Sequence, residues 1–213
     1  MTLQELQYYL SMAGTVAFAV TAVLAVTPRG IDLFGACVMG MITAIGGGTI
    51  RDLILDVPMF WATNTDYIWV ALVASLIAFF GNQFLTRRAI YKLMLYMDGL
   101  GAAMFAIQAS NKVIAADFAL PVGPVLLGVI TAIGGGLLRD VLAGQPTLLM
   151  RRELYAVPLT IGCTLNVVLL GYFPELAVTV GFMCMAATFV MRAAAIHWNL
   201  ELPGWMKTHT KTG

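Results

Sequence analysis

Two arginine–aspartate pairs, Arg51-Asp52 and Arg139-Asp140, stand beside long apolar runs where an ionised side chain needs a reason to be. Each pair follows a glycine triplet. Thr43-Ala44-Ile45-Gly46-Gly47-Gly48-Thr49-Ile50-Arg51-Asp52 is repeated as Thr131-Ala132-Ile133-Gly134-Gly135-Gly136-Leu137-Leu138-Arg139-Asp140, 88 residues later, with a proline at the same offset beyond each copy, Pro58 and Pro146. Three glycines in a row carry a large entropy cost in a helix and predict a break. Carbonyls freed at a break are weak cation ligands, and freed N–H groups favour anions. Asp52 and Asp140 would then fall in the first turn of a second half-helix. The arginines lie about 5–8 Å past the triplets, and each costs roughly 2.5–3.5 kcal/mol at a helix centre. An arginine repels cations, so Arg51 and Arg139 read as gates or as props for carbonyls and carboxylates, or as structural salt bridges. The triplets also admit a second reading, close packing of helices through small residues.

Asp98, in Asp98-Gly99-Leu100-Gly101, is a further ionisable group in an apolar run. It is either functional or an interfacial carboxylate in water. Thr43 and Thr131 lie one turn before the triplets and either bond helix carbonyls or face a path. Lys112 reads as a snorkelling interfacial residue. Cys37, Cys163 and Cys184 have no metal-type spacing and read as packing residues. His197 and His209 carry no assignable role.

The elements that position these groups are transmembrane helices. The 213 residues are 60% hydrophobic and 11% charged, with a mean hydropathy of +0.87, far from a soluble domain's composition. Crossing a core of ~30 Å takes about 20 residues. Seven runs qualify, near 8–26, 31–55, 67–85, 90–109, 118–142, 154–170 and 176–196. The expected fold is therefore an all-α polytopic membrane protein in a single domain. Repeat one covers about 8–86, repeat two about 90–172, an extra helix about 175–197 and a polar tail 198–213. Each repeat has three crossings, an odd number, so the second is inverted relative to the first. The second and fifth segments carry the glycine triplets and are expected to be broken there. Trp61, Tyr67, Trp69, Tyr91, Tyr96 and Tyr172 fall near segment ends, as interfacial aromatics do.

Alternating segments put Arg51 and Lys112 on one side and the other ten Lys and Arg residues, Arg29, Arg87, Arg88, Lys92, Arg139, Arg151, Arg152, Arg192, Lys207 and Lys211, on the opposite side. The positive-inside rule then places the N-terminus outside and the C-terminus in the cytoplasm. The N-terminus lacks the positive region of a signal peptide, so the first segment is expected to be retained. A net charge of +1 gives no electrostatic case for nucleic acid. No GxGD sequence, serine–histidine pairing or metal-binding histidine pair suggests an enzyme.

These motifs resemble the bacterial members of the TRIC (trimeric intracellular cation channel) family. The likeness is carried by Gly14-Thr15-Val16-Ala17-Phe18-Ala19, Asp32-Leu33-Phe34-Gly35, Asp98-Gly99-Leu100-Gly101 and the doubled glycine motif, and runs from about Gly14 to Met191. It implies seven helices in two inverted repeats and a homotrimer in the bacterial inner membrane. Each protomer would hold its own pore, passing potassium and less selectively sodium. That pore would be lined by kinks at Gly46-Gly47-Gly48 and Gly134-Gly135-Gly136. The only ligands implied are permeant ions and bound lipid, with no soluble protein partner. Animal members carry a lysine-containing motif at the first triplet, a departure from this sequence. Similar bacterial sequences have also been described as glycine transporters, so secondary transport of a small zwitterion is the rival reading. Inverted repeats suit both.

Overall fold

The computed structural model describes residues 3–84, 86–150, 154–201 and 203. Arg151, Arg152, Lys207, His209 and Lys211 lie outside the described residues. The chain is all-helical, with α1 (Leu3–Val26), α2 (Leu33–Ile54), a one-turn α3 (Phe60–Thr63), α4 (Asp66–Gly81), α5 (Arg87–Ala115), α6 (Val122–Leu142), α7 (Ala156–Tyr172) and α8 (Ala177–Trp198). The seven long helices are the seven apolar segments. Five of them are long and apolar enough to cross a bilayer, while α4 and α7 are shorter apolar helices. A 3-10 turn, Asn82–Phe84, extends α4 at its end.

Local sequence sets the boundaries. Helix α1 stops where Pro28 forces a 3-10 turn closed by Gly30 at φ 71°. Asp32 caps α2 by accepting the Gly35 N–H at 2.7 Å, and Thr86 caps α5 by accepting that of Ala89 at 3.3 Å. Helices α1, α2 and α4 pack on one another, as do α5, α6 and α7. The two sets meet along α1–α5 and α2–α6, and α8 covers α5 and α7. Phe18 and Phe105, one from the first helix of each set, stack at 5.5 Å in the shared core. The three cysteines are free and buried, as packing residues should be. Large apolar side chains such as Phe34, Trp69, Ile77 and Phe80 point outward, as a lipid-facing surface requires.

The glycine triplets correct the expectation of broken helices. Both α2 and α6 run as continuous α-helices through Gly46–Gly48 and Gly134–Gly136. Arg51-Asp52 and Arg139-Asp140 accordingly lie near the C-terminal end of whole helices, not in the first turn of second half-helices. In hydrocarbon an opened backbone needs new partners, whereas a continuous helix satisfies its own. What the glycines supply instead is the absence of Cβ where two backbones touch.

Candidate functional site at the α2–α6 crossing

Helices α2 and α6 cross at their triplets, and the contact is reciprocal. A Cβ on Gly47 would lie 2.1 Å from the Thr131 carbonyl oxygen, and one on Gly135 would lie 2.3 Å from that of Thr43. Gly134 faces the Gly47 Cα, while Gly46 faces the Leu138 side chain. Only glycine fits at the two central positions, because the opposing atoms are backbone and cannot rotate away. The threonines divide. The Thr131 hydroxyl donates to the Leu127 carbonyl at 2.6 Å, while the Thr43 hydroxyl is buried with no partner among the described residues.

Just past the crossing, each helix ends in the same turn. Asp56 and Gly144 occupy equivalent positions at φ 53° and 55°. In each case the next residue's N–H returns to the aspartate carbonyl, Val57 to Asp52 at 3.1 Å and Gln145 to Asp140 at 2.8 Å. This is a Schellman closure. It swings the chain through Pro58 and Pro146 so that a later backbone N–H reaches the aspartate side chain. Phe60 N–H donates to Asp52 Oδ2, and Leu148 N–H to Asp140 Oδ2, each at 2.9 Å. The other carboxylate oxygen accepts the neighbouring arginine Nε, at 2.8 Å in both copies. A carboxylate at a helix C-terminus opposes the dipole, and the arginine and turn N–H offset that.

The two copies differ in what α5 adds. In the first, Lys112 Nζ bonds Asp52 Oδ1 at 2.7 Å with its side chain 37% exposed, so it is an ion-pair partner as well as an interfacial residue. Two cations then share one carboxylate, and Arg51 lies 5.6 Å from the Phe60 ring centroid. In the second, Asp98 Oδ1 accepts Arg139 Nη1 at 2.7 Å with both side chains fully buried. The interfacial reading of Asp98 is therefore corrected. Helix α5 begins at Arg87, and by the helical rise Asp98 sits roughly 16 Å inside it. Tyr155 and Arg192 close this second cluster. Arg192 Nη1 donates to the Leu154 carbonyl at 2.9 Å and stacks 4.9 Å from the Tyr155 ring. Asp98 Oδ2, Arg139 Nη2 and the Tyr155 hydroxyl are buried together at this end.

Space follows the same asymmetry. A cavity of about 450 Å³ opens beside the first cluster, with Arg51, Lys112, Gln108 and Tyr8 among its walls. Next to the second cluster, the cleft between Gly136, Asp140 and Tyr155 holds no water-sized space. The structure thus gathers the glycine, threonine, arginine and aspartate candidates about one crossing. The glycines and threonines lie at its centre, Arg51 and Asp52 at an open end, and Arg139, Asp140 and Asp98 at a sealed end. Sequence reasoning missed Phe60, Leu148, Tyr155, Gln108 and the pairing of Lys112. The equal offset of Pro58 and Pro146 was the one available signal for the two returning N–H groups.

Comparison with known proteins agrees with this architecture. The family model described as Glycine transporter matches residues 8–83 and 95–171. The UPF0126 inner membrane protein YadS of Escherichia coli K12 is 39% identical over 202 residues, spanning 93% of this chain and 95% of that protein. A UPF0126 membrane protein of Vibrio cholerae is 36% identical over 216 residues, 96% of this chain and 84% of its own length. Among solved structures, the TRIC trimeric intracellular cation channel orthologue from Rhodobacter sphaeroides superposes with a TM-score of 0.85 at 32% identity, covering 92% of this chain and 99% of that one. The chain is an integral membrane protein of the TRIC/UPF0126 family, with the seven-helix TRIC fold.

Proposed function

We propose that the protein is a monovalent cation channel, passing potassium and less selectively sodium, with one path per protomer of a homotrimer. The observation that carries this reading is the cavity of about 450 Å³ that reaches Arg51 beside the α2–α6 crossing, in a fold shared with a trimeric cation channel. Space that ends at Arg51 on one side, with a buried ion pair on the other, is the form of a shut path. In this reading the path continues past Arg51 toward α2 and α6, whose glycines set how closely the two helices approach. Hydroxyls, amides and carbonyls line a path weakly enough for ions to leave.

Arg139 and Asp98 serve as the closed gate in this reading. Their separation requires a new partner for each, and Asp140 already holds Arg139 through Nε. Arg51 is held against Asp52 in the same manner at the open end. The N-terminus faces outward and the C-terminus the cytoplasm of a bacterium, on the charge asymmetry given above. The solved relatives are channels rather than enzymes, and no enzymatic role is proposed.

The test is ion efflux from vesicles. Purified protein reconstituted into potassium-loaded liposomes should release potassium down its gradient, and sodium more slowly, without a co-substrate. Release that requires glycine, or saturable glycine uptake without potassium release, transfers the assignment to zwitterion transport.

A further inference from the structure

We propose that Phe105, stacked on Phe18, is an apolar gate: the two rings close the floor of the cavity at the Arg51 end and stand in series with the Arg139–Asp98 pair. The inference rests on the channel reading above and adds a second barrier to it. Helix α5 sets the order of the groups. Asp98, Phe105, Gln108 and Lys112 fall at i, i+7, i+10 and i+14, which puts them on one side of the helix. Of the α5 residues that border the cavity of about 450 Å³, Phe105 lies nearest Asp98 in sequence. It is 5% exposed. One turn along α5 toward Lys112 the cavity wall is polar, with the Ser11 hydroxyl donating to Gln108 Oε1. In the other direction, roughly 10 Å from Phe105 by the helical rise, lies Asp98, fully buried against Arg139.

What separates these two polar ends is the aromatic pair. The Phe105 and Phe18 rings lie 5.5 Å apart and 13° from parallel. Each ring rests against a glycine of the other's helix. A Cβ on Gly14 would meet the Phe105 ring at 2.9 Å, and one on Gly101 would meet that of Phe18 at 3.4 Å. Gly101 is one turn closer to Asp98 than Phe105 is, so Phe105 forms the layer on the cavity side and Phe18 the layer on the side of the buried pair. Gly14 and Gly101 are 87 residues apart, as are Phe18 and Phe105, so the repeat supplies both halves of the barrier. The side chains that share this core are small, with Ala17, Ala102 and Ala106 all buried. They are too short to fill the space if the rings part. Apolar constrictions of this kind shed water and stop a hydrated ion without any charge of their own.

The test must separate a gate from a stack that only packs the core. Potassium efflux is measured from liposomes that also trap a dye, whose retention shows that the membrane is intact. Phe105→Gln should raise efflux about tenfold, because an amide that finds water only in a wetted constriction favours that state by about one unmet hydrogen bond. Phe105→Leu also loses the ring but stays apolar. It should raise efflux far less, although both variants lose stability in unfolding by sodium dodecyl sulfate. Phe105→Tyr keeps the ring and adds one hydroxyl. It should raise efflux without a comparable loss of stability, and it decides the matter if Phe105→Gln does not fold. Barriers in series that must both open multiply, so Phe105→Gln combined with Asp98→Asn should exceed either single variant. Leucine raising efflux as much as glutamine overturns the gate. So do glutamine and tyrosine variants at the wild-type rate while Asp98→Asn is raised, a result that leaves the channel reading standing. No potassium release from any folded variant, wild type included, overturns the channel reading and the gate with it.

Discussion

Replacing Gly47 by alanine tests the reciprocal crossing. The added methyl would sit 2.1 Å from the Thr131 carbonyl oxygen and 3.1 Å from the Gly135 nitrogen, where ordinary contact begins at 3.4 Å. The helices must therefore part by about 1.3 Å, because neither opposing atom belongs to a side chain that can turn aside. Gly135→Ala meets the Thr43 oxygen at 2.3 Å, which asks for about 1.1 Å. Overpacking of this kind costs typically about 1–3 kcal/mol, and a contact limited by backbone belongs at the upper end. The gain in helix propensity returns about 1 kcal/mol per substitution. Each single variant should thus lose about 2 kcal/mol. The double variant needs the same separation only once and regains propensity twice, so its loss should fall well below the sum of the singles. Gly81→Ala, with nothing within 4 Å of its Cβ, is the control and should not destabilise. Reversible unfolding of the purified protein by sodium dodecyl sulfate titration in mixed micelles reads all four. Single variants within 0.5 kcal/mol of wild type, or a strictly additive double, would refute the account of the triplets as a paired contact.

Two other outcomes follow from the site. Asp98→Asn removes one of the two carboxylates holding buried Arg139. It should cost about 3 kcal/mol in the same unfolding assay and raise potassium efflux from liposomes. A stable variant with unchanged efflux would remove the pair from the gate. Asp56→Gly relieves an exposed aspartate held at φ 53°, and should stabilise the chain by about 1 kcal/mol. Loss of stability there would mean that the aspartate side chain contributes more than its backbone conformation costs.

The helical class, the seven segments and the inverted pair were legible because they rest on apolar runs and on a motif that repeats with an odd number of crossings between copies. The break at each triplet was misread. Helix propensity weighs glycine one residue at a time, whereas here Gly47 and Gly135 are chosen by atoms on another helix, Thr131 O and Thr43 O. Asp98 was placed too near water because α5 starts at Arg87, with Thr86 as its cap. The arginine–aspartate pairs were visible as local neighbours, but the third members were not. Lys112 and Asp98 come from α5, and the Phe60 and Leu148 N–H groups come from turns. Which cation or carboxylate completes each pair depends on packing between elements far apart in sequence, and that asymmetry decides which end is open.

The most direct test of a conduction path closed at Arg139–Asp98 is single-channel recording in planar bilayers, with wild type and Asp98→Asn in asymmetric potassium chloride. The account predicts unitary currents reversing toward the potassium equilibrium potential, reduced when sodium replaces potassium, with a higher open probability in Asp98→Asn. Silent bilayers from folded protein that takes up glycine into vesicles would contradict it.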